Sequence, residues 1–247
     1  MTEWFRETFE EEYLELYAHR DEEEAERTVG WLCTELELQQ GKNVLDSPCG
    51  GGRHSRAFAR RGFLTVGIDL SRDLLYHARI EHGRNERLLY VRGDLRALPV
   101  ASNAFDLVTN LFSSFGYFET EEENMLALSE LVRATRRGGW LVIDFMNEPH
   151  VRANLVERTE RVTPDGWEVT EERRITGQPP RIEKHGRIRF PSGKMRRFYE
   201  SVRLYTPEEL SKAMQRMGLV NLRLFGDYAG TPYSSTAPRA IFMGQKP

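Results

Sequence analysis

Cysteine is nearly absent from this chain: its 247 residues include only Cys33 and Cys49. Two thiols make no disulfide framework, and without histidines at ligand spacing they make no zinc site. Long apolar runs are missing as well. A bilayer-spanning helix needs roughly 20 consecutive apolar residues, and no run here approaches that. The opening Met1-Thr2-Glu3-Trp4 has neither the basic start nor the apolar stretch of a secretory signal. The expectation is a protein of the reducing cytoplasm with no membrane partner, whose two cysteines are small core residues. Repeats and low-complexity linkers are also lacking.

What the chain does have is a globular balance, with 39% hydrophobic and 30% charged residues. A chain of this length buries a substantial core and still leaves room for a pocket. The net charge of −3 is unevenly spread. Residues 1–26 carry eleven acidic side chains against Arg6 and Arg20, and read first as a solvated helix face. Residues 181–203 carry eight basic side chains against Glu183 and Glu200. Such a run attracts an anionic small molecule or nucleic acid. Strands that alternate arginine with apolar residues more often just expose a wet face, so nucleic acid is the less favoured partner.

Hydrophobic spacing organises the rest. Phe5, Phe9, Tyr13 and Leu16/Tyr17, then Ala25, Val29, Leu32 and Leu36, recur at helical intervals up to Gly41. Short apolar strands are expected at 43–46, 64–69, 88–91, 105–110 and 140–145, with helices at 53–61, 72–82 and 120–136 between them. The last of these helices is expected to end at Gly138-Gly139. Alternating strands and helices with nearly all-apolar strands predict a doubly wound α/β fold on a parallel sheet covered on both faces. Right-handed crossovers then gather the strand C-termini, and any ligand, on one edge. From residue 156 to 205 the period changes to two, with turns at Pro164-Asp165-Gly166 and Pro191-Ser192-Gly193. This predicts an antiparallel insert of three or four strands. Thr206-Pro207-Glu208-Glu209 is a helix start, Gly218 a stop, and 219–225 and 239–244 a final strand pair.

Four features fall at the expected strand ends. Asp46 closes the first strand and leads through Ser47-Pro48-Cys49 to Gly50-Gly51-Gly52 and a helix. Such a turn lets backbone amides approach a negative group at a helix N-terminus. Asp69 closes the second strand, 17 residues after Gly52, where an acid accepts hydrogen bonds from both hydroxyls of a ribose. Asp94 closes the third strand, where it would accept from an adenine amino group. Leu111 to Tyr117 form an apolar wall after the fourth. Singly each is weak, since glycine turns and helix-capping aspartates are common; their joint order is the signal.

The stretch Val44-Leu45-Asp46-Ser47-Pro48-Cys49-Gly50-Gly51-Gly52-Arg53-His54 resembles the first motif of the class I S-adenosylmethionine (SAM)-dependent methyltransferases. Gly67-Ile68-Asp69-Leu70-Ser71 resembles their second motif, Gly93-Asp94-Leu95 their third, and Trp140 to Phe145 their fifth strand. The likeness covers about 130 residues by motifs and intervening elements. It implies a Rossmann-like seven-stranded sheet with the last strand antiparallel, SAM as cofactor, and methyl transfer as the reaction. It places Asp46, Pro48, Gly50, Gly52, Arg53, Asp69, Leu70, Asp94, Leu95 and Leu111 around SAM. Pro48 departs from the family, where glycine is common, and removes an amide donor. Tyr17 and Arg20 would close over the methionine end, Arg20 pairing with its carboxylate, although the tyrosine fits a plain amphipathic core as well.

The implied organisation is a single domain. Residues 1–40 form a helical cap, 41–155 the SAM-binding core, 156–205 an insert acting as lid whose Phe198, Tyr199 and Arg203 would face the acceptor, and 206–247 the elements that complete the core. The alternative for the insert is a homodimer interface. The expected acceptor is a small molecule with a nitrogen or oxygen nucleophile, anionic if the insert's arginines meet it. No catalytic base stands out among His150, His185, Tyr117, Tyr199 and Tyr228. Rival readings are an RNA or protein methyltransferase using the basic insert, an NAD-dependent oxidoreductase, and a non-catalytic SAM-binding scaffold. Against the oxidoreductase, Ser55 replaces the third fingerprint glycine and Asp94 has no role. Against DNA base methylation, Asn110 is followed by Leu111-Phe112-Ser113. Cys49 lies in the cofactor loop, which argues against a nucleophilic thiol.

Overall fold

A computed structural model describes residues 3–8, 15–16, 22–82 and 85–247. Its helices are α1 (Phe5–Thr8), α2 (Glu22–Glu35), α3 (Arg53–Arg60), α4 (Arg72–His82), α5 (Glu121–Ala134), α6 (Glu148–Asn154) and α7 (Pro207–Arg216). The strands β1 (Asn43–Asp46), β2 (Leu64–Asp69), β3 (Leu88–Arg92), β4 (Phe105–Asn110) and β5 (Thr135–Met146) alternate with the first helices. The strands β6 (Arg158–Val162), β7 (Glu168–Thr176), β8 (Arg181–Arg189) and β9 (Met195–Arg203) follow one another, and β10 (Val220–Phe225) and β11 (Arg239–Gln245) come last.

Successive side chains of a strand point to opposite faces, and here both faces are apolar. Val44, Leu107 and Val142 enter one core with Ala25, Val29 and Leu32 of α2 and Ala57 and Phe58 of α3. Their neighbours Leu45, Val108 and Ile143 enter the other with Leu128 and Leu131 of α5 and Leu210 and Met214 of α7. The seven-stranded sheet has the order β10-β11-β5-β4-β1-β2-β3. β1, β2, β3, β4 and β5 pair in parallel, and β11 runs antiparallel between β5 and β10. The connections leave β1 and β4 in opposite directions, which opens a crevice at their C-terminal ends.

The insert is a separate four-stranded antiparallel sheet, β6-β7-β8-β9. It is anchored at the loop after β4. The Arg203 amide donates to Gly116 O at 2.8 Å, and Arg181 reaches Phe118 O at 2.9 Å and the carbonyls of Gly116 and Tyr117. Thr206 caps α7 in a reciprocal capping box with Glu209, as the sequence predicts, and Thr120 does the same for α5 with Glu123.

Two local expectations need correction. The helix over 121–134 does not run to Gly138-Gly139. It ends at Ala134, where Thr135 turns extended and opens β5, and the glycines lie in a register shift of β5 against β4. The acidic run is also only partly a solvated face. Glu22 pairs with Arg56 and Arg60 at 2.6 Å, Glu24 with Arg53 at 2.5 Å, and Glu26 with Arg60 at 2.6 Å, so α2 meets α3 along a charged seam. Helix α6 was not foreseen from the sequence.

Candidate active site

The crevice holds a cavity of about 720 Å³ including its mouth. Its wall comes from four strand-end loops: Ser47, Pro48 and Gly50 after β1; Asp69, Leu70 and Ser71 after β2; Gly93, Asp94 and Leu95 after β3; Ser114, Tyr117 and Phe118 after β4. Phe5 of α1 covers it.

Asp69 organises the glycine loop. Its Oδ2 accepts from the Gly50 amide and its Oδ1 from the Ser71 amide, both at 2.8 Å. Burial pushes its carboxyl above the ordinary carboxylate range, and the amides of Ser71, Gly50 and Leu70 offset part of that. Gly50 is left-handed at φ 54°, and a Cβ there would meet only open space. Gly52 is required for a different reason: at φ 80° its Cβ would lie 2.1 Å from the Tyr90 hydroxyl. That hydroxyl donates to Gly52 O at 3.2 Å, so Gly52 serves packing beneath the loop and not its surface.

Asp46 does not reach the cavity. It is 1% exposed and accepts from Ser55 Oγ at 2.6 Å and Thr109 Oγ1 at 3.2 Å. Burial pushes its carboxyl up to about 6, against those two hydrogen bonds. Asp94 lines the cavity but is already clamped: Arg96 donates Nη2 to its Oδ2 at 2.7 Å and its amide to Oδ1 at 2.9 Å. Burial acts to raise the Asp94 carboxyl, but the Arg96 bonds outweigh it and hold the group below the usual range. Arg53 lies over the Phe112 ring, 4.1 Å from its centroid, while paired with Glu24. Leu111 is buried in the core shared with α2 and α3. The structure thus brings Pro48, Gly50, Asp69, Leu70, Asp94 and Leu95 together and sets Asp46, Gly52, Arg53 and Leu111 behind or beside them. Tyr17 and Arg20 lie outside the described residues.

A second cavity, about 870 Å³ with its open mouth, adjoins the first across Phe5, Tyr117 and Phe118. Trp4, Arg96, Glu119 and Glu123 line one side, and Arg181, Glu183, Tyr199 and Ser201 of β8 and β9 the other. Trp4 packs on Tyr117 with centroids 5.0 Å apart. Tyr199 donates to Glu183 at 3.0 Å. Sequence reasoning reached Tyr199 as one of three insert residues facing the acceptor. It missed Glu183 and Arg181, whose alternation signals a strand face without saying what that face meets. The other two fall elsewhere. Phe198 is buried with Leu16, Val169 and Ile188, and Arg203 is buried, bonding Leu204 O at 2.5 Å and Glu209 at 2.8 Å.

Comparison with known proteins decides the chemistry. Residues 45–143 match the family model described as a methyltransferase domain. The chain is 30% identical to an N,N-dimethyltransferase of dTDP-3-amino-3,4,6-trideoxy-alpha-D-glucopyranose from Streptomyces venezuelae, over 83% of each chain. The chain belongs to the class I SAM-dependent methyltransferases. Solved structures agree on the fold. A SAM-dependent methyltransferase from Clostridium acetobutylicum superposes with TM-score 0.78 at 16% identity, over 94% of each chain. A SAM-bound amino pentose methyltransferase from Micromonospora echinaspora gives TM-score 0.70 at 22% identity, over 95% and 96% of the two chains.

The cofactor of this methyltransferase is therefore SAM, and the cavity composition fits it. The open space at Gly50 leaves room beside the loop amides. Ile68, Leu70, Leu74 and Leu95 supply apolar surface between the carboxylates of Asp69 and Asp94. Among the described residues no group of three or more His, Cys, Asp or Glu is arranged to hold a metal ion, and no helix is long and apolar enough to cross a membrane. The Cys49 thiol is pushed well up by burial and then by the charges of Asp69 and Asp46, which agrees with reading it as an inert residue of the loop.

Proposed function

We propose that this methyltransferase modifies a small molecule that enters through the second cavity, and that the preferred nucleophile is an amine nitrogen. The observation carrying this reading is the shared wall of Phe5, Tyr117 and Phe118, which puts an insert-lined space beside the cofactor cavity. The relative from Streptomyces venezuelae, named as an amino-sugar N,N-dimethyltransferase, supports nitrogen. The basic insert argues less for RNA than its sequence suggests, because half of its eight cations, Arg181, Lys184, Arg189 and Arg203, are engaged by internal partners. Lys184 pairs with Glu200 at 2.6 Å, Arg189 with Glu168 at 3.4 Å, and Arg181 binds backbone carbonyls. An anionic group on the acceptor would have to find cations other than Arg96 and Arg181, which are committed.

In this reading Asp69 accepts from the ribose hydroxyls, the Gly50 loop faces the methionine end, and Asp94 faces the adenine. Asp46, Gly52 and Arg53 support that loop from behind. SAM supplies a methyl on sulfonium sulfur, already activated toward a nucleophile. The chain's share is alignment and exclusion of water by the apolar wall. Of the five base candidates, Tyr117 and Tyr199 line the cavities. His150 bonds Thr236 O and lines neither. We place the enzyme in the reducing cytoplasm, supported by Cys33 and Cys49 being free thiols. We read it as one domain, with 1–40 as cap, 41–155 and 206–247 as core and 156–205 as lid.

The test is a panel of amino sugars, their hydroxyl and carboxylate analogues, and short RNA, scored by S-adenosylhomocysteine release. Amines should turn over fastest, and Asp69→Ala should weaken SAM binding by about 1.5–3 kcal/mol in calorimetry. Turnover of RNA alone, or unchanged SAM affinity in folded Asp69→Ala, would refute the corresponding assignment.

A further inference from the structure

The loop that carries Ser114, Tyr117 and Phe118 into the cavities begins in an unfavourable conformation. Phe112 and Ser113 are both left-handed, at φ 58° and 59°, a state that residues with a Cβ avoid. Something must hold them there, and beneath them lies a buried ionic cluster that the cofactor site does not use.

Its centre is Asp144 at the end of β5, which is fully buried at 0% exposure. Asp144 Oδ2 accepts from the Phe112 amide at 2.7 Å, and its backbone oxygen accepts from the Ser113 amide at 2.9 Å. The same carboxylate accepts from Arg239 Nε at 2.8 Å and Nη2 at 2.6 Å, and from the Tyr228 hydroxyl at 2.5 Å. Arg239 Nη2 also reaches Ser113 Oγ at 2.9 Å. The Phe112 ring is stacked on Tyr228, with centroids 5.9 Å apart, and faces His54 at 5.2 Å. Burying Asp144 completely and Arg239 in large part costs desolvation energy that a well-packed apolar pair would not. Here the charges are directed at the two strained amides and at the Ser113 hydroxyl.

We propose that Tyr228 and Arg239 are positioning residues for methyl transfer. Through Asp144 they lock Phe112 and Ser113 in the left-handed turn and so fix Ser114 in the cofactor-cavity wall and Tyr117 and Phe118 at the boundary of the two cavities. The inference rests on the methyltransferase reading but not on the identity of the acceptor. None of the three residues of the cluster lines the cofactor cavity, so the effect belongs to alignment of the reacting groups and not to SAM affinity. Misplacement of a reacting group by about 1 Å costs up to 100-fold in rate.

The test compares Tyr228→Phe, Ser113→Gly and the double variant. Three measurements are made: amide hydrogen exchange, S-adenosylhomocysteine affinity by calorimetry, and kcat and KM on the best acceptor of the panel. Tyr228→Phe is expected to raise exchange at Phe112 at least tenfold and lower kcat about tenfold, with S-adenosylhomocysteine Kd and the KM for SAM within twofold of wild type. Ser113→Gly, which relieves the strain, is expected to melt higher and turn over more slowly. The double variant should lose less than the product of the single losses. Wild-type exchange at Phe112, full kcat in either folded variant, or a loss of SAM affinity in step with kcat overturns the proposal. If no acceptor turns over even with wild type, the functional reading fails separately, and the exchange and affinity arms still decide whether the cluster holds the turn.

Discussion

Asp46 shows how far a residue's role departs from its place in a motif. The sequence sets it at the end of the first strand, beside the glycine turn, where it resembles a ligand. The structure turns its carboxyl inward to Ser55 and Thr109. Burial raises its pKa from 3.8 to about 6, so between those values the folded protein binds a proton that the unfolded chain has released. Stability from this group is therefore greatest at low pH and is lost as pH rises through about 6. At about 1.4 kcal/mol per unit, the span is about 3 kcal/mol. Urea unfolding at pH 7 and pH 4.5 should show wild type gaining on Asp46→Asn by an amount of that order as the pH falls. The carboxyl carbon should titrate near pH 6 by NMR, and a midpoint near 4 would mean that water reaches the site. Gly50 and Gly52 make the same point without charge. They look alike in the sequence, yet one faces open space and the other packs on Tyr90.

At the scale of elements, the insert is where pattern ran ahead of position. Alternation and two turn signals identified its strands, but its docking depends on Arg181, which holds three carbonyls of the loop after β4. Burial acts first to lower the basicity of this guanidinium, and carbonyl oxygens rather than a counter-ion receive it. Arg181→Met removes the charged donor from those carbonyls, of which Gly116 O keeps the Arg203 amide and Phe118 O keeps Asn124 Nδ2. The variant should melt a few degrees lower and show a KM for the acceptor raised about tenfold, with SAM affinity near normal, since a lost hydrogen bond to a charged group is worth about 1.5–3 kcal/mol. Steady-state kinetics beside calorimetry separates these effects. An unchanged acceptor KM with altered sedimentation would favour the insert as a subunit interface, through outer strand β6 and its exposed Val162. The acidic run belongs to this scale as well: its glutamates meet the arginines of α3 only because the crossover from β1 to β2 lays α3 alongside α2.

For the whole molecule, binding of a cofactor to the folded state alone raises stability by mass action. SAM at about 100 times its Kd adds roughly 2.7 kcal/mol, which for a chain of this size shifts Tm by about 5–10 °C. A thermal scan should show that shift with SAM or S-adenosylhomocysteine and none with NADH; the reverse would restore the oxidoreductase reading. The sequence by itself determined the strand order in the chain, the doubly wound class, the glycine loop and the three strand-end aspartates. All of these are set by local periodicity and by residues whose backbone preferences are strong. It could not determine which carboxylates face the cavity, that Arg96 and Arg181 are spent on internal partners, or that Asp144, Tyr228 and Arg239 meet beneath Phe112. Those residues lie 84 and 95 positions apart in the chain, and nothing local in their neighbourhoods marks a partner. Only the closing of β11 against β5 brings them together, because burial and charge pairing are properties of the packed sheet and not of any segment in it.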